Sequence, residues 1–140
     1  MERKRRTEIL IKGSRELSKK LAEEIKKKYK VSVVQEASNG LVMIKMRENA
    51  KNSLFYLGEV LVTEAKVNIN GNIGMGIVKG NEPELAYYLA VIDGAYNGKL
   101  EEIYIWEKIL IEEELRIKDE EKKYIRSLLK TKVNFETMDA

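Results

Sequence analysis

The chain has 140 residues, a net charge of +3, 35% charged side chains, and neither Cys nor His. Without Cys there are no disulfides, thiolate nucleophiles or Cys-ligated zinc, and without His the commonest general base and metal ligand is gone. The length fits one domain. No run of about 18 apolar residues exists to span a membrane, and no signal-peptide segment follows the basic start, so the chain reads as cytoplasmic.

The N-terminal 30 residues carry 12 Lys/Arg against 5 acids, while residues 31–140 carry 14 against 18. This basic arm reads as a solvated helix face, dispensable for folding, or as the docking face for an acidic partner. The competing reading is a small nucleotide- or nucleic-acid-binding module, but no aromatic residue interleaves the charges before Tyr29. Residues 2–12 read as a helix anchored by Ile9 and Leu10, broken at Gly13. Ser14 is a good N-cap for a second helix, whose apolar stripe is Leu17, Leu21 and Ile25. It ends near Tyr29.

The period then changes to two. Val31 to Ala37 reads as a strand, Asn39-Gly40 as a hairpin turn, and Leu41 to Arg47 as the return strand. A polar loop at 48–53 precedes the long strand 54–69. Asn70-Gly71 is a second turn, and Asn72 to Lys79 a fourth strand. The order gives an antiparallel sheet of about four strands in two hairpins. Asn81 then caps a helix to about Tyr96 with Pro83 in its first turn, its apolar face formed by Leu85, Tyr88, Leu89 and Ile92. Asn97-Gly98 ends it. A helix follows from Leu100 to about Ile117, then another from Asp119 to Leu129, and Val133 to Ala140 reads as a strand or an extended tail. The fold class is α+β, with helices at both ends of the sheet.

Gly74, Gly76 and Gly80 give G-x-G-x-x-x-G, which is neither the dinucleotide fingerprint nor a P-loop. A structural origin fits better. A two-residue turn at Asn70-Gly71 pairs Ile69 with Asn72, Val67 with Gly74, Ala65 with Gly76 and Thr63 with Val78. One face of this ribbon is therefore built from small side chains, and strand glycines mark close approach by another backbone. The occupant is either the helix 81–96, through Ala86 and Ala90, or a partner chain. Glu59 and Glu64 point to opposite faces of one strand and lie ~16 Å apart, so they form no acid–base pair. Asp93 follows the apolar Ile92 and suits a structural pairing. Trp106 and the tyrosines of the helical half read as core, with a share left for an interface.

The segments Gly58–Val67, Asn70–Gly80 and Glu84–Asp93, the strand Gly40–Arg47 and the tail Val133–Met138 together resemble the PhnG family, the G subunit of the phosphonate C–P lyase system. The resemblance covers about residues 7–140 and contains no catalytic fingerprint. It implies a non-catalytic subunit of a complex with I-, H-, J- and L-type subunits, within a homo- or hetero-oligomer. The complex uses ATP, and a phosphonate displaces its adenine to give ribose 1-methylphosphonate 5-triphosphate. No cofactor is expected on this chain alone, and no membrane or nucleic-acid partner. Candidate partner or ligand contacts are Glu59, Thr63, Glu64, Gly74, Gly76, Asp93 and Phe135; no catalytic residue or metal ligand is assigned.

Overall fold

A computed structural model describes the backbone of residues 1–47 and 54–139, and the side chains of residues 1–43 and 58–133. The elements run α1 (Arg3–Lys12), α2 (Arg15–Lys28), β1 (Val31–Arg47), β2 (Leu54–Ile69), β3 (Asn72–Lys79), α3 (Pro83–Asn97) and α4 (Glu102–Asp139). The class is α+β as expected. The described sheet is antiparallel in the order β1-β2-β3, three strands where the sequence suggested about four.

The difference lies at Asn39-Gly40, which is not a turn. Asn39 pairs with Thr63 and Gly40 with Val62 inside one continuous strand. β2 is 16 residues long, enough to template all 17 residues of β1, so the ladder outcompetes the local turn preference. Register shifts between Val33 and Gln35, Gln35 and Ser38, and Ile44 and Lys45 absorb the unequal lengths, as bulges do. The expected loop 48–53 lies outside the described residues.

The second hairpin is as read from the sequence. Ile69 pairs with Asn72, Val67 with Gly74, Ala65 with Gly76 and Thr63 with Val78. Asn70 and Gly71 take φ values of 52° and 87°, the left-handed pair of a type I′ turn. The Asn68 side chain accepts the Gly71 N–H at 2.8 Å.

The face of small residues is covered by α3 of the same chain. A Cβ on Gly74 would stand 2.0 Å from the Ala90 carbonyl oxygen, and one on Gly76 would stand 2.1 Å from that of Ala86. Helix and strand backbones therefore touch, which only glycine at both positions permits. α3 begins at Pro83, but Asn81 is not its cap. The N-cap is Glu82, without a side-chain cap of its own; its N–H is taken by Thr63 Oγ1 at 2.9 Å, a tertiary contact that replaces the local one.

α3 is buried nearly all round, from Leu85 and Ala86 through Leu89 to Ala95. One side lies on β2 and β3, the other on the remaining helices. α2 is capped by Ser14, whose side chain accepts the Glu16 N–H at 3.2 Å, and it buries Ser18, Leu21, Ala22 and Ile25. α4 contributes Trp106, Leu110 and Ile117, and α1 contributes Ile9 and Leu10. Each fully buried Leu or Ile stabilises the fold by ~1.5–3 kcal/mol relative to exposure. Trp106 is wholly buried, with its indole N–H on Glu24 at 3.2 Å.

α4 also corrects the sequence reading. It is one helix of 38 residues, where two helices and then a strand or an extended tail were expected. Asp119 does not cap; it sits inside the helix and pairs with Lys123 at 3.2 Å. Arg116 binds both Glu113 and Glu120, and Lys118 reaches Glu114. Such pairs three and four residues apart support a helix that has no Gly or Pro to stop it.

Candidate functional site

The densest polar cluster among the described residues is centred on Asp93 of α3. Its position after Ile92 turns it toward α1 and the edge strand β3, and its side chain is 5% exposed. Arg3 grips it with both ends of its guanidinium: Nε donates to Oδ1 at 2.9 Å and Nη2 to Oδ2 at 2.6 Å. Arg6 Nη2 donates to Oδ1 at 3.0 Å, the Met75 backbone N–H to Oδ2 at 2.9 Å, and Asn97 Nδ2 to Oδ2 at 3.4 Å. One carboxylate thus joins α1, β3 and α3. Beside it lies a cleft of about 180 Å³, lined by Arg3, Arg6, Thr7, Met75, Ile77 and Asp93 among others.

The two arginines have different surroundings. Arg3 is largely exposed, and its bonds to Asp93 raise its pKa further. Arg6 is buried; desolvation pulls its pKa down, while the charge of Asp93 opposes the shift. Its guanidinium carbon lies 4.2 Å over the Tyr96 ring, so a π-face covers one side of a cation removed from water. Arg6 Nε and the Tyr96 hydroxyl are buried without a hydrogen-bond partner. Burial and the nearby Glu107 charge push Tyr96 up to about 12, with Arg6 acting in the opposite sense. The cluster has two cations against one anion, and the exposed edge of Arg3 offers N–H donors to an anion. Neither guanidinium exchanges a proton at neutral pH, because guanidinium does not deprotonate there.

The cations of the basic arm are exposed, as expected of a solvated helix face, except Arg6, which is buried. Several cations at its N-terminal end pair with acids of the same chain. Arg5 holds Glu114 in a two-bond fork at 2.9 and 2.7 Å, Lys12 bonds Glu8 at 2.9 Å, and the Met1 ammonium reaches Glu107 at 2.8 Å. Glu107, Glu114 and Glu121 of α4 receive the Met1 ammonium, Arg5 and Lys12.

The other candidates are dispersed. Gly74 and Gly76 lie beneath α3, touching backbone. Thr63 is buried at the junction of β2 with α3; its hydroxyl lies 2.6 Å from the Gly80 carbonyl and 3.1 Å from Asn39 Oδ1. Glu64 lies on the opposite sheet face, 3.6 Å from Lys66. Glu59 pairs with Met43 across the ladder and is exposed on the same side of β2 as the buried Thr63 and Ala65. No register shift falls between Glu59 and Glu64, so the two carboxylates stay apart. Phe135 belongs to α4, and its side chain lies outside the described residues. Among the described residues no three acids gather as a metal site.

Reading the sequence identified Asp93 but missed Arg3 and Arg6 as its partners. The signal was present: Arg3 and Arg6 are three residues apart, hence on one helix face, together with Leu10. What was missing was the tertiary pairing of that face with α3, 87 to 90 residues away in sequence.

Two apolar surfaces extend from the body. β3 ends at Lys79, paired with Val62, so β1 and β2 continue beyond it as a two-stranded ribbon. Leu41, Val42, Met43 and Leu61 are exposed on it. On the second half of α4, residues 121–133 are likewise exposed.

The sequence pattern of the family described as phosphonate metabolism protein PhnG matches residues 1–139, essentially the whole chain. No curated protein matches. The chain belongs to the PhnG family, and its role is in phosphonate metabolism.

Proposed function

We propose that this PhnG-family chain is a non-catalytic subunit of a cytoplasmic C–P lyase core complex. It supports an I-type subunit as a phosphonate displaces adenine from ATP to give ribose 1-methylphosphonate 5-triphosphate, with H-, J- and L-type subunits as the other partners. The observation that carries the reading is the family match over residues 1–139. The geometry is in keeping with it. Among the described residues the densest polar cluster ties α1 to α3 by guanidinium–carboxylate bonds and β3 to α3 by a backbone N–H, and exposed apolar residues stand on the ribbon and the α4 overhang as well as on the body, as on a protein built for association. No cofactor is assigned to this chain alone, and the ATP is used by the complex.

The alternative is a small nucleotide- or nucleic-acid-binding module that uses the basic arm. Arg3, Arg5, Arg6 and Lys12 are engaged with Asp93, Glu114 and Glu8 of the same chain, which leaves exposed lysines such as Lys19, Lys20 and Lys27 to meet phosphates.

The test is reconstitution. The purified chain with ATP and methylphosphonate should release no adenine above a buffer blank. Co-expressed with the I-, H- and L-type subunits it should co-purify with them, and omitting it should abolish or sharply reduce adenine release. Adenine release by the chain alone, or full activity of the other subunits without it, would overturn the proposal.

A further inference from the structure

The overhanging half of α4 carries a pattern that its own fold does not use. Residues 118–133 are all exposed, and Tyr124, Ile125, Leu128 and Leu129 are each more than half exposed. At i, i+1, i+4 and i+5 they form one apolar stripe on the helix. Asp119, Lys123, Arg126, Ser127 and Lys130 occupy the opposite side. Two charged residues flank the stripe at its ends: Glu121, four before Ile125, and Lys132, four after Leu128. At 3.6 residues per turn they lie within about 20° of each other around the helix axis.

These positions are symmetric about a point midway between Arg126 and Ser127. If a second, antiparallel copy of the helix crosses there, Ile125 meets Leu128, Tyr124 meets Leu129, and Glu121 meets Lys132. By symmetry every one of these contacts occurs twice, as an isologous interface requires. A parallel arrangement would set Glu121 against Glu121 and Lys132 against Lys132, which repel. We propose that the α4 overhang is a self-association surface on which a second copy of this chain docks in antiparallel register, with Glu121 and Lys132 selecting the orientation. Charged residues flanking an apolar seam set partner choice and orientation in this way. Glu121 has a neighbour within the chain, Lys12 at 3.6 Å, with both side chains about half exposed. An exposed pair of that length is readily exchanged.

The experiment uses the full chain. Sedimentation equilibrium from low to high micromolar concentration should show a monomer–dimer equilibrium. Lys132→Glu and Glu121→Lys, each alone, should raise the dissociation constant about tenfold, because two attractive pairs become repulsive. The double reversal Glu121→Lys/Lys132→Glu should restore it. Circular dichroism on each variant separates lost association from lost folding. The chain has no Cys of its own, so single cysteines give a clean second readout. Mixed Glu121→Cys and Lys132→Cys chains should form an intermolecular disulfide on mild oxidation, and Glu121→Cys alone should not. A chain that stays monomeric throughout, a double reversal no better than the single ones, or efficient cross-linking of Glu121→Cys to itself would each overturn the proposal. The last result would indicate a parallel pair, and the first would leave the stripe to a partner of another kind.

Discussion

Replacing Gly76 by alanine adds one methyl group and should cost about as much as a core truncation. The new Cβ would sit 2.1 Å from the Ala86 carbonyl oxygen and 2.7 Å from the Ala90 amide nitrogen. Both are backbone atoms of α3, so no rotamer change relieves the clash. The helix must move outward by an ångström or more, loosening Val67, Leu89 and Ile92 beneath and around it. Overpacking of this kind costs about 1–3 kcal/mol, and a backbone obstacle places it at the upper end. With an unfolding entropy near 2.1 cal/mol/K per residue, a loss of ~3 kcal/mol lowers the thermal midpoint of a chain this long by about 10 °C. Gly40→Ala is the control: no atom lies within 4 Å of its added Cβ. There the substitution restricts the unfolded chain and should raise stability by up to ~1 kcal/mol. Thermal and urea unfolding of the isolated proteins, followed by circular dichroism, reads both. If Gly76→Ala were as stable as the parent, α3 could not lie on β3 as described, and the reasoning from register to packing would fail.

Asp93→Asn should be strongly destabilising, because it leaves Arg6 buried without its anion; breaking a buried pair costs about 3–5 kcal/mol, or roughly 10–17 °C in the same melt. Deleting residues 1–6 strands Asp93 in the converse way, and a fall of less than about 5 °C would show the arm to be loosely held after all. Tyr96 gives an alkaline prediction. Its folded pKa of about 12 exceeds the ordinary value near 10, so the neutral phenol's contribution is complete below pH 10 and is lost as pH rises toward 12. Tyr96→Phe should flatten that slope, and at pH 7 it should not destabilise, since it removes a buried hydroxyl without a partner. Burial pulls Glu102 up, but its own backbone N–H, Lys28 and Tyr29 together hold it below the usual carboxylate range. The stability it confers is present above about pH 5 and lost as the medium becomes more acidic. Glu102→Gln should therefore make urea midpoints between pH 5 and 3 less pH-dependent than in the parent.

Local signals sufficed wherever a feature depends on neighbours in sequence. Ser14 caps α2 because its side chain reaches a backbone N–H two residues on. Asn70-Gly71 turns because those two residues tolerate positive φ, and the period of two then sets the whole β2–β3 register, down to which glycines face which alanines. Even the occupant of the small-residue face was narrowed to α3 or a partner. Features that depend on distant residues were not legible. Asn39-Gly40 has the same turn chemistry as Asn70-Gly71, yet it runs straight, because β2 offers a full-length ladder on which both flanking segments gain more by pairing with it than with each other. Asp119 looks like a cap, but ion pairs on either side carry the helix through it. The basic arm is solvated along most of its cations, as its composition suggests, but composition reports charge and not partners. Arg3 and Arg6 find Asp93 only once α1 has packed across α3, and then burial turns an exposed charge pattern into a tie that the fold depends on.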